Sequence, residues 1–184
     1  MRFDLPTKEQ GGKLLALARR ELLDHFCLEN AIPVEENLDI PCVFGGVFAT
    51  LEVGGELRGC IGFLFRAEDL VSLTRRAVVA AAEHDPRFAK VTREEVPRLR
   101  VSITVLASPE PFASSSEIVI GRHGLLVEKG GCLGLLLPQV AEKHGWDSER
   151  FLAETCRKAA LPSDSWREEE TVVRRFEAVR FEEE

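Results

Sequence analysis

The sequence predicts an α+β fold, a largely antiparallel sheet with packed helices, arranged as one domain or as two unequal lobes. Two observations carry this. Segments with an apolar residue at every second position meet at glycine turns, which marks hairpins. Segments with helical spacing stand apart from them, so the regular strand-helix alternation of a parallel sheet is missing. A chain of 184 residues is long enough to bury a substantial core.

Leu15, Ala18, Leu22 and Phe26 recur at helical spacing and predict an amphipathic helix over residues 12–29. Pro33 and Pro41 make the next stretch an extended loop. The period then changes to two. Val47, Ala49, Leu51 and Val53 alternate with Phe48, Thr50 and Glu52, Gly54-Gly55 turns the chain, and residues 57–65 return as the partner strand. Glu68 and Asp69 suit a helix N-terminus, Leu70, Leu73, Ala77 and Ala81 form its buried stripe, and Pro86 ends it near His84. Thr92 with Glu95 matches a capping box for a very short helix. Leu99, Val101, Ile103 and Val105 alternate as another strand.

Beyond the loop SPEPFASSS, residues 117–120, 125–128 and 132–137 read as a meander of three short strands, with turns at Arg122-His123-Gly124 and Lys129-Gly130-Gly131. Residues 140–144 and 148–160 read as helices, the second capped by Asp147. Residues 172–181 return as a strand.

Composition narrows the function. Thirty-one acidic against 24 basic side chains leave a net charge of −7, which argues against a general nucleic-acid or anionic-membrane binder. No apolar run reaches membrane-spanning length and the N-terminal residues lack a secretory pattern, so the expected location is cytoplasmic. Cys27, Cys42, Cys60, Cys132 and Cys156 are odd in number and widely spaced, which predicts free thiols and no zinc or iron-sulfur site. No cofactor is expected. The chain has no GxSxG elbow, phosphate loop or HExxH helix.

The stretch GGELRGCIG, residues 54–62, holds the candidate site. Strand alternation puts Arg58 and Cys60 on one side of the hairpin and Leu57, Ile61 and Phe63 on the other. A guanidinium beside a thiol favours the nucleophilic thiolate, and Gly59 and Gly62 would leave room for a ligand. The same residues also fit a plain packing role, with a small core cysteine and glycines at a bulge. Asp85-Pro86-Arg87-Phe88 places an acid and a base in a restrained turn, either a second charged wall or a surface ion pair. His123 stands where an imidazole could carry a proton, although a lone histidine in a hairpin turn is more often solvated. Trp146 is a stacking platform or a packing anchor.

The elements LRGCIG, DPRF, GRHGLLVEKGG and LLLPQVAEKHGWDSERFL, with GVFATL before them, occur in an order that resembles the AMMECR family in its prokaryotic branch, linked to the AmmeMemoRadiSam system. The resemblance runs from about Leu14 to Phe181, so the chain is expected to be one AMMECR-type domain. It implies an α+β fold in which the LRGCIG strand lines a cleft, and association with a Memo-like protein and a radical SAM enzyme. Two functions follow. In the first, Cys60 is a nucleophile, Arg58 its activator and anion clamp, and His123 or Asp85 the proton carrier, with Gly59, Gly62 and Arg87 around a small anionic ligand. In the second, the chain is a noncatalytic module for a small ligand or partner proteins. A base within hydrogen-bond reach of Cys60 would discriminate them.

Overall fold

The computed structural model describes residues 5–29, 31–34, 45–64 and 69–184. The chain divides into two compact units, Met1–Leu106 with Val179–Glu184, and Ala107–Ala178. The expected extended loop around Pro41, together with Cys42, Phe65 and Glu68, lies outside the described residues.

The first unit opens with α1, Lys8–His25. This helix begins four residues before the apolar stripe suggested, because Thr7 and Gln10 form a capping box: Gln10 N–H donates to Thr7 Oγ1 at 3.3 Å, and Thr7 N–H donates to Gln10 Oε1 at 2.9 Å. Strands β1, Gly46–Val53, and β2, Glu56–Leu64, form the expected hairpin. Its turn residues Gly54 and Gly55 have φ of 61° and 85°, backbone that glycine adopts without strain. Helix α2, Leu70–Glu83, starts where the Asp69 side chain accepts from Ser72 N–H and stops at His84, ahead of Pro86. Strand β3, Arg100–Leu106, pairs antiparallel with β1. One core cluster joins Leu14, Ala18 and Leu22 of α1, Leu73, Ala77 and Val78 of α2, Ala49 and Leu51 of β1, and Val101 and Ile103 of β3. The two helices therefore cover one face of the strands, and the period-two alternation sends the intervening side chains to the other face.

The second unit holds β4, His123–Lys129, β5, Cys132–Leu136, α3, Pro138–His144, and α4, Ser148–Lys158. Asp147 caps α4 as its sequence position suggested, its side chain accepting from Arg150 N–H. The core gathers Ile118, Leu125, Ala141, Phe151 and Leu152. Residues 117–120 form no strand, contrary to the expected three-strand meander. The Ser114 and Glu117 side chains close a capping box that winds Ser115–Glu117 into a 3-10 turn. Strand β6, Val172–Glu182, pairs antiparallel with β4 and runs from the second unit into the first. The strand order is β2-β1-β3-β6-β4-β5.

Candidate functional site

The expected alternation along β2 breaks at Arg58. Leu51 lies opposite Gly59, but the next pair is Glu52 with Leu57, so Arg58 is the extra residue of a β-bulge. Ile61 and Phe63 pack against the core as expected, whereas Leu57 is turned out of it and is 39% exposed.

The bulge aims Arg58 at the segment that follows α2. Nε and Nη2 donate to the two carboxylate oxygens of Glu95 at 2.8 and 3.0 Å. Nη1 donates to Ala89 O at 2.8 Å and Nη2 to Lys90 O at 3.0 Å. The hydrogen bonds and charge of Arg58 hold the Glu95 carboxyl down at about 2, and Glu95 in turn raises Arg58. Glu95 also accepts from Thr92 N–H at 2.8 Å, so the expected Thr92–Glu95 cap exists in half. The short helix expected there is a turn followed by the 3-10 stretch Val96–Arg98.

The backbone of Cys60 is held by the DPRF turn. Its N–H donates to Asp85 Oδ2 at 2.8 Å, and its carbonyl accepts from Arg87 Nη2 at 3.5 Å. Asp85 is 6% exposed. It also accepts from Arg87 N–H at 3.1 Å, from Nε at 3.0 Å and from Nη2 at 2.7 Å. The Arg87 hydrogen bonds, ahead of those from the two backbone amides, hold the Asp85 carboxyl far below the usual carboxylate range. One acid and one base thus satisfy the outward N–H and C=O of Cys60 as a neighbouring strand would.

Because that N–H points away from β1, Cys60 and Thr50 form a non-hydrogen-bonded pair, the type whose side chains lie closest. The Thr50 hydroxyl donates to Cys60 Sγ at 3.3 Å. Cys60 is half-buried. Of the cations around it, Arg87 is the one whose charge couples to Cys60, and Arg87 is raised first by its hydrogen bonds to Asp85. The room expected at the two glycines is filled by protein. A Cβ on Gly59 would overlap the Ala81 carbonyl oxygen, and one on Gly62 would overlap the Phe48 ring.

His123 belongs to the second unit and begins β4 instead of a turn between strands. It is 7% exposed. Its Nδ1 accepts from Val119 N–H at 3.0 Å, which places the proton of the neutral ring on Nε2. Burial first, and the Arg175 charge next, lower its pKa. Trp146 packs on the Phe151 cluster and stacks on His144 at 4.8 Å between centroids. Cys27 and Cys132 are exposed, and Cys156 is buried, which raises its thiol. Among the described residues no group of three or more His, Cys, Asp or Glu side chains is placed to hold a metal ion. None of the described helices is long and apolar enough to cross a membrane.

The structure therefore joins Arg58, Gly59, Cys60, Asp85 and Arg87 through one strand and one turn, and adds two residues that sequence reasoning missed as site members. Glu95 carried a signal, the Thr92–Glu95 cap. Thr50 carried one only through strand register.

The chain is similar to known proteins over nearly its whole length. The AMMECR1 family model matches residues 15–181. A protein of Pyrococcus furiosus is 45% identical over 189 residues, covering 96% of this chain and 89% of that one. A protein of Methanothermobacter thermautotrophicus is 40% identical over 192 residues, covering 100% and 99%. The crystal structure of an uncharacterised protein from Pyrococcus horikoshii is similar with a TM-score of 0.84 and 43% identity, covering 96% of this chain and 92% of that one.

Proposed function

Because the chain belongs to the AMMECR1 family over residues 15–181, we propose that it acts as a noncatalytic module that binds a small ligand or partner proteins, with the LRGCIG strand as a fixed wall. One observation carries this reading: the groups that would assist a Cys60 nucleophile are committed to holding the strand. Arg58 gives its donors to Glu95, Ala89 and Lys90. Asp85 is an ion-paired anion facing the Cys60 backbone N–H. A general base must be poised to accept a proton, and a carboxylate fixed this far below its usual range is a poor one. The partners proposed are those the family resemblance implies, a Memo-like protein and a radical SAM enzyme.

A second reading, a cysteine-dependent enzyme or enzyme component, is favoured by the Thr50 hydroxyl on Cys60 Sγ and by the nearby Arg87 charge. One pair of measurements separates the two. Calorimetric titration of a purified Memo-like protein should give the same affinity for wild type and Cys60→Ser. A pH series of iodoacetamide labelling, read by peptide mass spectrometry, should show Cys60 following Cys27 in both wild type and Arg87→Leu. Labelling of Cys60 that persists to lower pH than that of Cys27, and that is lost in Arg87→Leu, would overturn the noncatalytic reading.

A further inference from the structure

The two ends of the strand order are guarded differently. At β2 the bulge at Arg58 and the Asp85–Arg87 pair occupy the outer side of the strand. At β5, the other end, the strand reads CLGLL and carries no charged side chain. Outer strands of monomers are usually blunted by a charge, a proline or a bulge, because their free main-chain groups recruit a further strand.

The hairpin fixes which groups of β5 are free. Gly130 and Gly131, with φ of 56° and 83°, form a two-residue turn, so Lys129 and Cys132 are a hydrogen-bonded pair. The pairs then alternate. Leu133 with Glu128 and Leu135 with Leu126 are non-hydrogen-bonded pairs, so the N–H and C=O of Leu133 and of Leu135 point away from β4. None of the described residues bonds to these groups. The side chains mark the same edge as open. Cys132 is exposed and Leu133 is 46% exposed, and Val172, in one row with Leu133 through Glu128, is 41% exposed.

Symmetry decides what fits this edge. The free groups lie evenly on either side of Gly134, the middle residue of the strand. A second β5 laid antiparallel about a two-fold axis at Gly134 sets Leu133 opposite the Leu135 of the other copy, and Leu135 opposite its Leu133. Each of these pairs exchanges both of its bonds, so every free group of both strands is used and neither copy keeps an open edge. Gly134 brings no side chain to the axis, and the atoms nearest to it on its inner face belong to Ala159, whose side chain is a methyl. On the outer face leucine meets leucine, with no like charges opposed.

We propose that β5 is a self-association edge, through which two copies of this chain pair antiparallel over Cys132–Leu136 about Gly134. A five-residue strand pairing is small against the roughly 1,200–2,000 Å² of stable interfaces, so the dimer is weak and concentration-dependent. The edge belongs to the second unit and uses none of the groups that hold Cys60.

Sedimentation velocity of the full chain, from low micromolar to near-millimolar concentration, should show monomer giving way to dimer. Leu133→Lys places a charge at an exposed position of the edge and should raise the dissociation constant about tenfold or more. Leu133→Pro removes a donor used only between copies and should act likewise, and it carries the comparison if thermal melts show that Leu133→Lys does not fold. Val172→Lys, on the same face but two strands in from the edge, should leave the constant unchanged. Amide exchange followed by NMR should show Leu133 and Leu135 gaining protection as concentration rises. Monomer at every concentration refutes the pairing, as does a dimer that Val172→Lys weakens and Leu133→Lys does not, or one in which both amides exchange as fast as in the monomer. A chain that stays monomeric but protects the two amides when a Memo-like protein is added gives the edge to that partner, and equally refutes self-pairing.

Discussion

Replacing Asp85 by alanine tests whether the DPRF turn holds the strand of Cys60. In the native protein the carboxylate accepts the Cys60 N–H at 2.8 Å and the Arg87 N–H at 3.1 Å, with its side chain 2% exposed. Hydrogen bonds to a charged acceptor contribute about 1.5–3 kcal/mol each, and a donor left unsatisfied carries its desolvation cost. The Arg87 side chain is 55% exposed and returns to water, so losing that pair adds about 1 kcal/mol or less. These terms sum to at least about 3 kcal/mol, so Asp85→Ala should destabilise by about 3–5 kcal/mol. Asp85→Asn, which keeps one acceptor, should cost about half as much. Linkage supplies a second signature. The carboxyl is depressed in the folded state, so its contribution is fully present above the unfolded value of about 3.9 and is lost as pH falls below it. Urea unfolding should show a gap between wild type and Asp85→Ala that is constant from pH 8 to about 5 and narrows toward pH 2. Hydrogen exchange should show the Cys60 amide losing protection in the variant. A gap below about 0.5 kcal/mol, or one that does not change with pH, would refute the clamp.

Three further outcomes follow from the same geometry. Arg58→Leu should cost about 2–3 kcal/mol, since it strands the Glu95 carboxylate and two carbonyls, and an NMR titration should find Glu95 rising from about 2 toward the ordinary range. Gly59→Ala should destabilise by about 3 kcal/mol in chemical unfolding, because its methyl meets the backbone carbonyl of Ala81, whereas Gly62→Ala should cost about 1 kcal/mol because the Phe48 ring can swing away. The His123 pKa is lowered by burial, so the unfolded chain takes up the proton first as pH drops below about 6.5, and stability should fall with it; His123→Gln should flatten that part of the stability-pH curve.

The strands were legible wherever one face had to be apolar. Val47, Ala49 and Leu51 against Thr50 and Glu52 showed which side of β1 faces the core, and Gly54-Gly55 showed where the hairpin turns. Asp69 and Asp147 announced their helices because a carboxylate ahead of an apolar stripe satisfies free amides. The position of the bulge was not legible, although the packing reading of LRGCIG allowed one at its glycines. An unshifted two-residue hairpin would set Thr50 against Gly59, and nothing in ELRGCIG shows that Arg58 is the residue pushed out of register. That single shift put Thr50 beside Cys60 and sent the guanidinium to Glu95. The turn at Ser115–Glu117 went unseen for a related reason. Glu117 to Ile120 alternates like a strand, and the serine cap that overrides it lies just upstream.

The way Cys60 is held also sets an order of assembly during synthesis. Strand β2 ends the strand order, and an uncovered outer strand is a template on which a foreign chain can pair. Here the covering groups come late, Asp85 lying 25 residues beyond Cys60 and Glu95 37 residues beyond Arg58. At translation rates of about 5–20 residues per second, the hairpin waits a few seconds with that edge open. Until then the nascent chain is shielded only by residues already made, chiefly the half-exposed polar side chains of β2 itself. A codon change that slows ribosomes between the two motifs would lengthen this interval while leaving every contact of the finished protein unchanged.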